Sequence, residues 1–349
     1  MNHEIPINCI EQKESQVLDF ETIQNPWGPS PKLKENCNCV TSLSEDSLIQ
    51  WIGEWLSVES TSIALGANGS TEIINLIPKL FLKPGGACVV VTPTYFGLYE
   101  SIKKAGNPIA VVKTHPESGF AFDAGVTSHL FTASDRLHPS LIWLCTPNNP
   151  TGVTIDPAII DRLASLHPDA LIVVDEAYQE IIDPKNTDSM IRRINKRKNI
   201  LVTKTFSKAW GLPEIKIGIA IGNESLIRQI RWENIRPPIN ERSLLLAHAS
   251  LLDADHLEVT HERMKHELSF MRDQLSAMKH ISFGSKSETG VCILRHDAIN
   301  LGEALLLRHI RSLNCDLIWG LEGLGFTRIG LQTHEKNMKL VSHLWQLDS

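Results

Sequence analysis

The stretch "NILVTKTFSKAWGLPEIKIGIAI" (Asn199 to Ile221) sets two apolar runs around a polar cluster. The runs are "NILVT" and "IKIGIAI", and "GNES" follows the second. Runs rich in Val, Ile and Leu, apolar on both faces, belong to strands in the middle of a sheet. Lys208 stands just past the first run, after Ser207, where a side chain can serve a site. Lys216 lies between two isoleucines. Lys204 sits inside the strand-to-turn passage, and the sequence assigns it no role.

The same pattern recurs upstream. "ACVVV" precedes "TPTYFGLY", "LIWLC" precedes "TPNNPTG", and "ALIVV" precedes "DEAYQE". Helix-like segments such as "DPAIIDRLASLH" (Asp156 to His167) lie between several of them. This alternation predicts a largely parallel sheet covered by helices. Ligands of open α/β sheets bind beyond the carboxyl ends of the strands, so the polar clusters are candidates for one shared site. Turn-making explains their Gly, Pro and Asn. It does not explain an aspartate, a tyrosine, an asparagine and a lysine each placed just past a buried strand. "IALGANGSTEIINLI" (Ile63 to Ile77) reads as a strand, a Gly-rich turn and a helix that Ser70 and Thr71 can cap. The free N–H groups and dipole of such a helix start attract an anion, phosphate above all.

The bulk properties narrow the class. The chain has 349 residues, 42% hydrophobic and 21% charged, which suits a large core and suggests two domains. A net charge of −6 gives no footprint for nucleic acid or an anionic membrane. "RRINKRKN" (Arg192 to Asn199) reads as a solvated loop. No apolar stretch has transmembrane length, and "MNHEIPINCIEQKES" lacks the marks of a signal peptide, so a cytoplasmic location is expected. Seven scattered cysteines without CxxC read as free thiols. "HERMKH" (His261 to His266) has its histidines five apart rather than four, so it reads as an exposed helix, and no metal is expected.

A lysine amine, a buried carboxylate, a phenol, an amide, an aromatic ring and an anion cradle are the parts needed to hold pyridoxal phosphate. At this point "TPNNPTG", "VVDEAYQE" and "TKTFSKAWGLPEIKIG" resemble the fold-type I pyridoxal-phosphate enzymes of the class I/II aminotransferase group. The branch resembled holds histidinol-phosphate aminotransferase and threonine-phosphate decarboxylase. "QNPWGPSP" (Gln24 to Pro31), "IRPPIN" (Ile235 to Asn240) and "FTRIGLQTHEKN" (Phe326 to Asn337) extend the resemblance over nearly the whole chain.

The resemblance implies a mostly parallel sheet sandwiched by helices in a large domain over residues 45–240. A smaller α+β domain would combine residues 1–44 and 241–349. It implies that Lys208 forms the internal aldimine and shuttles the proton, that Asp175 pairs with the pyridine nitrogen, and that Tyr178 and Asn149 bond the 3-oxygen. Tyr95 would stack on the ring. Gly69, Ser70 and Thr71 would cradle the phosphate, with help from Thr205 and Ser207. Arg328 would bind the substrate α-carboxylate, and Asn25 belongs to a loop that closes over substrate. The implied activity is amino transfer on a small amino acid or amino-phosphate, in a homodimer of amino-acid biosynthesis. The alternatives are a lyase, a decarboxylase or an elimination/cyclisation enzyme resembling capreomycidine synthase, and, remotely, a cofactor-sensing regulatory domain. The chain departs from the family pattern at Lys216, where an arginine is usual, and it has no tyrosine before Tyr95.

Overall fold

The apolar runs form the strands expected of them. The computed structural model of the protein describes residues 17–234 and 236–349. Residues 1–16 of the expected small domain, and Ile235 of "IRPPIN", lie outside the described residues. A two-residue strand, β1 (Leu18–Asp19), comes first. Seven strands then build the main sheet: β2 (Ile63–Gly66), β3 (Cys88–Thr92), β4 (Ile109–Lys113), β5 (Leu141–Cys145), β6 (Leu171–Asp175), β7 (Ile200–Thr205) and β8 (Gly218–Gly222). Their order is β2-β8-β7-β6-β5-β3-β4. Strands β5 to β8 are buried at every position, as their two-sided apolar runs require.

Alternate residues feed two cores. Ile142, Leu144, Ile172 and Val174 join the helix Pro157–Leu166 on one face. Leu141, Trp143, Leu171 and Val173 join the helices Ser70–Phe81 and Phe96–Ala105 on the other. The sheet is therefore sandwiched by helices.

One strand reverses. β8 runs antiparallel to both β7 and β2, while β3 to β7 pair in parallel. A parallel return needs a crossover, usually a helix. The Phe206–Ile217 connection holds only the 3-10 turn Pro213–Ile215, so the chain doubles back. This hairpin-like return leaves Lys208 and Lys216 at the same edge of the sheet.

The C-terminal part adds β9 (Ile281–Phe283), β10 (Val291–His296), β11 (Ile310–Arg311), β12 (Leu313–Asn314) and β13 (Thr327–Gly330). Four of them form an antiparallel sheet in the order β12-β13-β10-β9, and β11 pairs with β1. The helices His256–Ser276 and His334–Leu347 pack together beside it.

One local reading changes, and two that hold over most of their residues gain detail. Ser70 and Thr71 do not cap their helix. Gly69 holds the cap position at φ 70°, so both residues lie in the first turn with no side-chain cap bond. "HERMKH" is helical but only partly exposed: Met264 is buried. The neighbouring Glu267 is buried as well, accepting from Asn337 Nδ2 at 2.9 Å beside His266 and His334. Arg197 of "RRINKRKN" forks onto Asp161, both bonds 2.9 Å. Asp156 does cap Pro157–Leu166, and the six described cysteines are free. Among the described residues no helix is long and apolar enough to cross a membrane.

Candidate active site

Register aligns the candidate groups before any side chain is considered. Cys145 pairs with Asp175, Asp175 with Thr203, Thr205 with Gly218, and Gly218 with Gly66. This row crosses the sheet at the carboxyl ends of β5, β6 and β7, and the cavity opens there. Its volume is about 330 Å³. Gly69, Ser70, Thr71, Tyr95, Asn149, Asp175, Tyr178, Thr205, Ser207, Lys208, Lys216 and Arg328 all line it.

Asp175 ends β6. Its Oδ1 accepts from Ala177 N–H at 3.2 Å and from Thr203 Oγ1 at 3.1 Å. Burial pushes its pKa up to about 6, against the pull of those two donors and of Lys208. Lys208 lies 5.3 Å above the Tyr178 ring and donates to Ile23 O at 3.1 Å. Burial, then the Arg328 and Lys216 charges, bring its pKa down to about 8. An amine in that range is partly neutral near physiological pH and can act as a nucleophile. Burial also pushes the Tyr178 and Tyr95 phenols up, so both stay protonated donors.

The turn between β2 and the helix Ser70–Phe81 packs closely against the start of β8. Gly69 takes φ 70°, and its N–H donates to Lys216 O at 2.5 Å. A Cβ on Gly218 would stand 2.4 Å from both Gly69 C and Ser70 N, so glycine there lets β8 approach the turn. Ser207 N–H donates to Thr205 Oγ1 at 3.1 Å, and both residues line the same cavity.

Arg328 arrives from β13. Its Nη1 donates to Asn149 Oδ1 at 3.1 Å and its Nη2 to Glu21 O at 2.8 Å. Arg328 Nε and Tyr178 Oη are buried with no hydrogen-bond partner among the described residues, so both retain capacity for a ligand. Asn25 is not part of the lining. It is 5% exposed and turns away to Ala209 O at 2.9 Å and Thr260 Oγ1 at 3.0 Å. Its neighbours Ile23 and Gln24 line the cavity instead, with Phe96 and Cys145. Cys145 ends "LIWLC", and that strand-end position could have marked it. The carbonyls of Glu21 and Ile23 carry no side-chain signal to read.

Comparison with known proteins gives this geometry its setting. The family Aminotransferase class I and II matches residues 38–344. The chain belongs to that family. A histidinol-phosphate aminotransferase of Caldicellulosiruptor saccharolyticus is 30% identical over 307 residues, covering 84% of this chain and 82% of the relative. The fold is that of the histidinol-phosphate aminotransferase from Sinorhizobium meliloti in complex with pyridoxal-5'-phosphate (TM-score 0.82, 18% identity, 95% and 90% of the two chains). It is likewise that of L-threonine-O-3-phosphate decarboxylase from Porphyromonas gingivalis (TM-score 0.78, 20% identity, 95% and 99%). Class I and II aminotransferases depend on pyridoxal 5'-phosphate, and this chain is such a pyridoxal-phosphate enzyme. The groups present fit that cofactor: a Gly-turn helix start, the Lys208 amine, the Asp175 carboxylate and the unpartnered Tyr178 phenol share one cavity.

Proposed function

We propose that the chain transfers the amino group at Cα of a small amino acid or amino-phosphate. The observation that carries this reading is the convergence of Lys208, Asp175 and Arg328, from three separate segments, on one cavity. Bound pyridoxal phosphate supplies a ring that draws in the electron pair left at Cα when a bond there breaks. The protein supplies the rest. Gly69, Ser70, Thr71, Thr205 and Ser207 hold the phosphate at a helix start, with Lys216 as a point charge where a guanidinium fork is usual. Asp175 keeps a proton on the ring nitrogen, and Tyr178 and Asn149 hold the 3-oxygen. Tyr95 stacks on the ring. Lys208 Nζ takes the Cα proton and returns it at the next step. Arg328 grips the substrate carboxylate and so fixes which Cα bond faces the ring.

The 30% identity to a histidinol-phosphate aminotransferase supports a substrate with one anionic group for Arg328. The working unit is a cytoplasmic homodimer, in keeping with the prevalence of two-fold assemblies. The test is spectroscopic. An amino donor alone should convert the bound cofactor to its pyridoxamine form, and a keto acid should restore it. Release of ammonia or carbon dioxide with the cofactor unchanged would replace amino transfer by a lyase or decarboxylase reaction.

A further inference from the structure

Behind the cavity lies a buried ion cluster that the proposed chemistry does not use. Lys204 stands between Thr203, whose hydroxyl bonds Asp175, and Thr205, which lines the cavity. Successive strand residues point to opposite faces, so the Lys204 ammonium leaves the cavity side. It donates to Glu180 Oε1 and Asn186 Oδ1, both at 2.7 Å, and lies 3.0 Å from Glu176 Oε2. Glu176 also accepts from Ser189 Oγ at 2.5 Å and from Met190 N–H at 2.7 Å. Lys204, Glu176 and Glu180 are each 1% exposed. Burial pulls the Lys204 pKa down, but the two carboxylates outweigh it, and the net direction is up.

Such a cluster is weak support for stability, because apolar side chains of similar volume often serve as well. Its placement argues for another role. Glu176 follows Asp175, and Glu180 stands two residues past Tyr178. Glu176 N–H donates to Thr203 O at 2.9 Å. One ammonium therefore ties both ends of the turn that carries Asp175 and Tyr178 to the strand that leads to Lys208.

We propose that Lys204 is a positioning residue: by gripping Glu176 and Glu180 behind the sheet, it sets the depth at which Asp175 and Tyr178 stand in the cavity. The proposal rests on the pyridoxal-phosphate reading of that cavity. Its test uses full-length protein under conditions where circular dichroism shows each variant folded. Two quantities are read: the affinity of apo protein for pyridoxal phosphate, and the nitrogen-15 signal of ring-labelled cofactor.

Lys204→Met should weaken affinity about tenfold, as loss of a supporting contact commonly does. It should also move the ring-nitrogen signal toward unprotonated pyridine, because Asp175 no longer sits squarely on it. Loss of a positive charge acting through space would move that signal the opposite way. Lys204→Arg should recover most of both readouts. Glu180→Ala keeps the Lys204–Glu176 pair and decides alone if Lys204→Met does not fold. It should weaken affinity several-fold. Removing a negative charge would by itself favour the anionic cofactor, so weaker binding there reports position. Unchanged affinity and signal, or a Lys204→Met signal moving toward protonated pyridine, would overturn the proposal. A wild-type protein that takes up no pyridoxal phosphate would overturn the functional reading instead.

Discussion

Lys208 and Asp175 are tuned in opposite directions by the same burial. For Lys208, only the neutral amine attacks a carbonyl. With its pKa brought to about 8, capture of pyridoxal phosphate by apo protein should quicken as pH rises through about 8 and then level. Stopped-flow absorbance across that range checks this. Lys208→Ala should lose the borohydride-trappable adduct, and peptide mapping of an adduct at Lys216 would show that the wrong lysine had been assigned. For Asp175, the folded pKa of about 6 lies above the unfolded value. The folded state then binds more protons between about pH 4 and about pH 6, and stability falls as pH rises through that window. Above it the buried charge costs up to about 3 kcal/mol, from a shift of about two units. Apo Asp175→Asn should therefore be more stable than wild type in urea at neutral pH. It should converge on wild type below about pH 4 and bind the cofactor ring more weakly.

At the scale of elements, the close approach of β8 to the Gly69 turn sets the shape of the turn proposed to hold phosphate. Gly218→Ala puts a Cβ 2.4 Å from backbone atoms of Gly69 and Ser70, which cannot swing aside as a side chain can. We expect a loss of about 1–3 kcal/mol in stability and a larger proportional loss in affinity for inorganic phosphate, measured by denaturation and calorimetry. The strands themselves were legible. Two-sided apolar runs mark central strands whatever their neighbours, and "DPAIIDRLASLH" spells its own cap at Asp156. Strand direction was not legible for β8, because an apolar run reads the same both ways and only the short Phe206–Ile217 link forces the reversal. Ser70 and Thr71 look like caps by residue type, yet Gly69, at positive φ, takes the cap position and leaves both inside the first turn. The Lys204 cluster was hidden for another reason: its partners lie 18 and 24 residues away on another segment, and periodicity carries no sign of such a pairing.

At the scale of the molecule, the cavity is held together by contacts between distant parts of the chain. Arg328 reaches Asn149 across 179 residues and Glu21 across 307. Arg328→Gln should lower kcat/KM for a carboxylate substrate by about tenfold to a hundredfold, since a charged hydrogen bond contributes about 1.5–3 kcal/mol. The same variant should quicken amide exchange around Glu21 to Asn25, which steady-state kinetics and exchange mass spectrometry can read on one preparation. These long-range meetings explain why the site residues were readable as motifs while the backbone carbonyls that steady them were not. They also impose a timetable on synthesis. The ribosome releases Glu21 and Ile23 early, Lys208 past the midpoint and Arg328 near the close. A nascent chain thus carries the Lys208 amine and the Gly69 turn well before it owns the Arg328 guanidinium, so the cavity wall that Arg328 supplies is the last to be made.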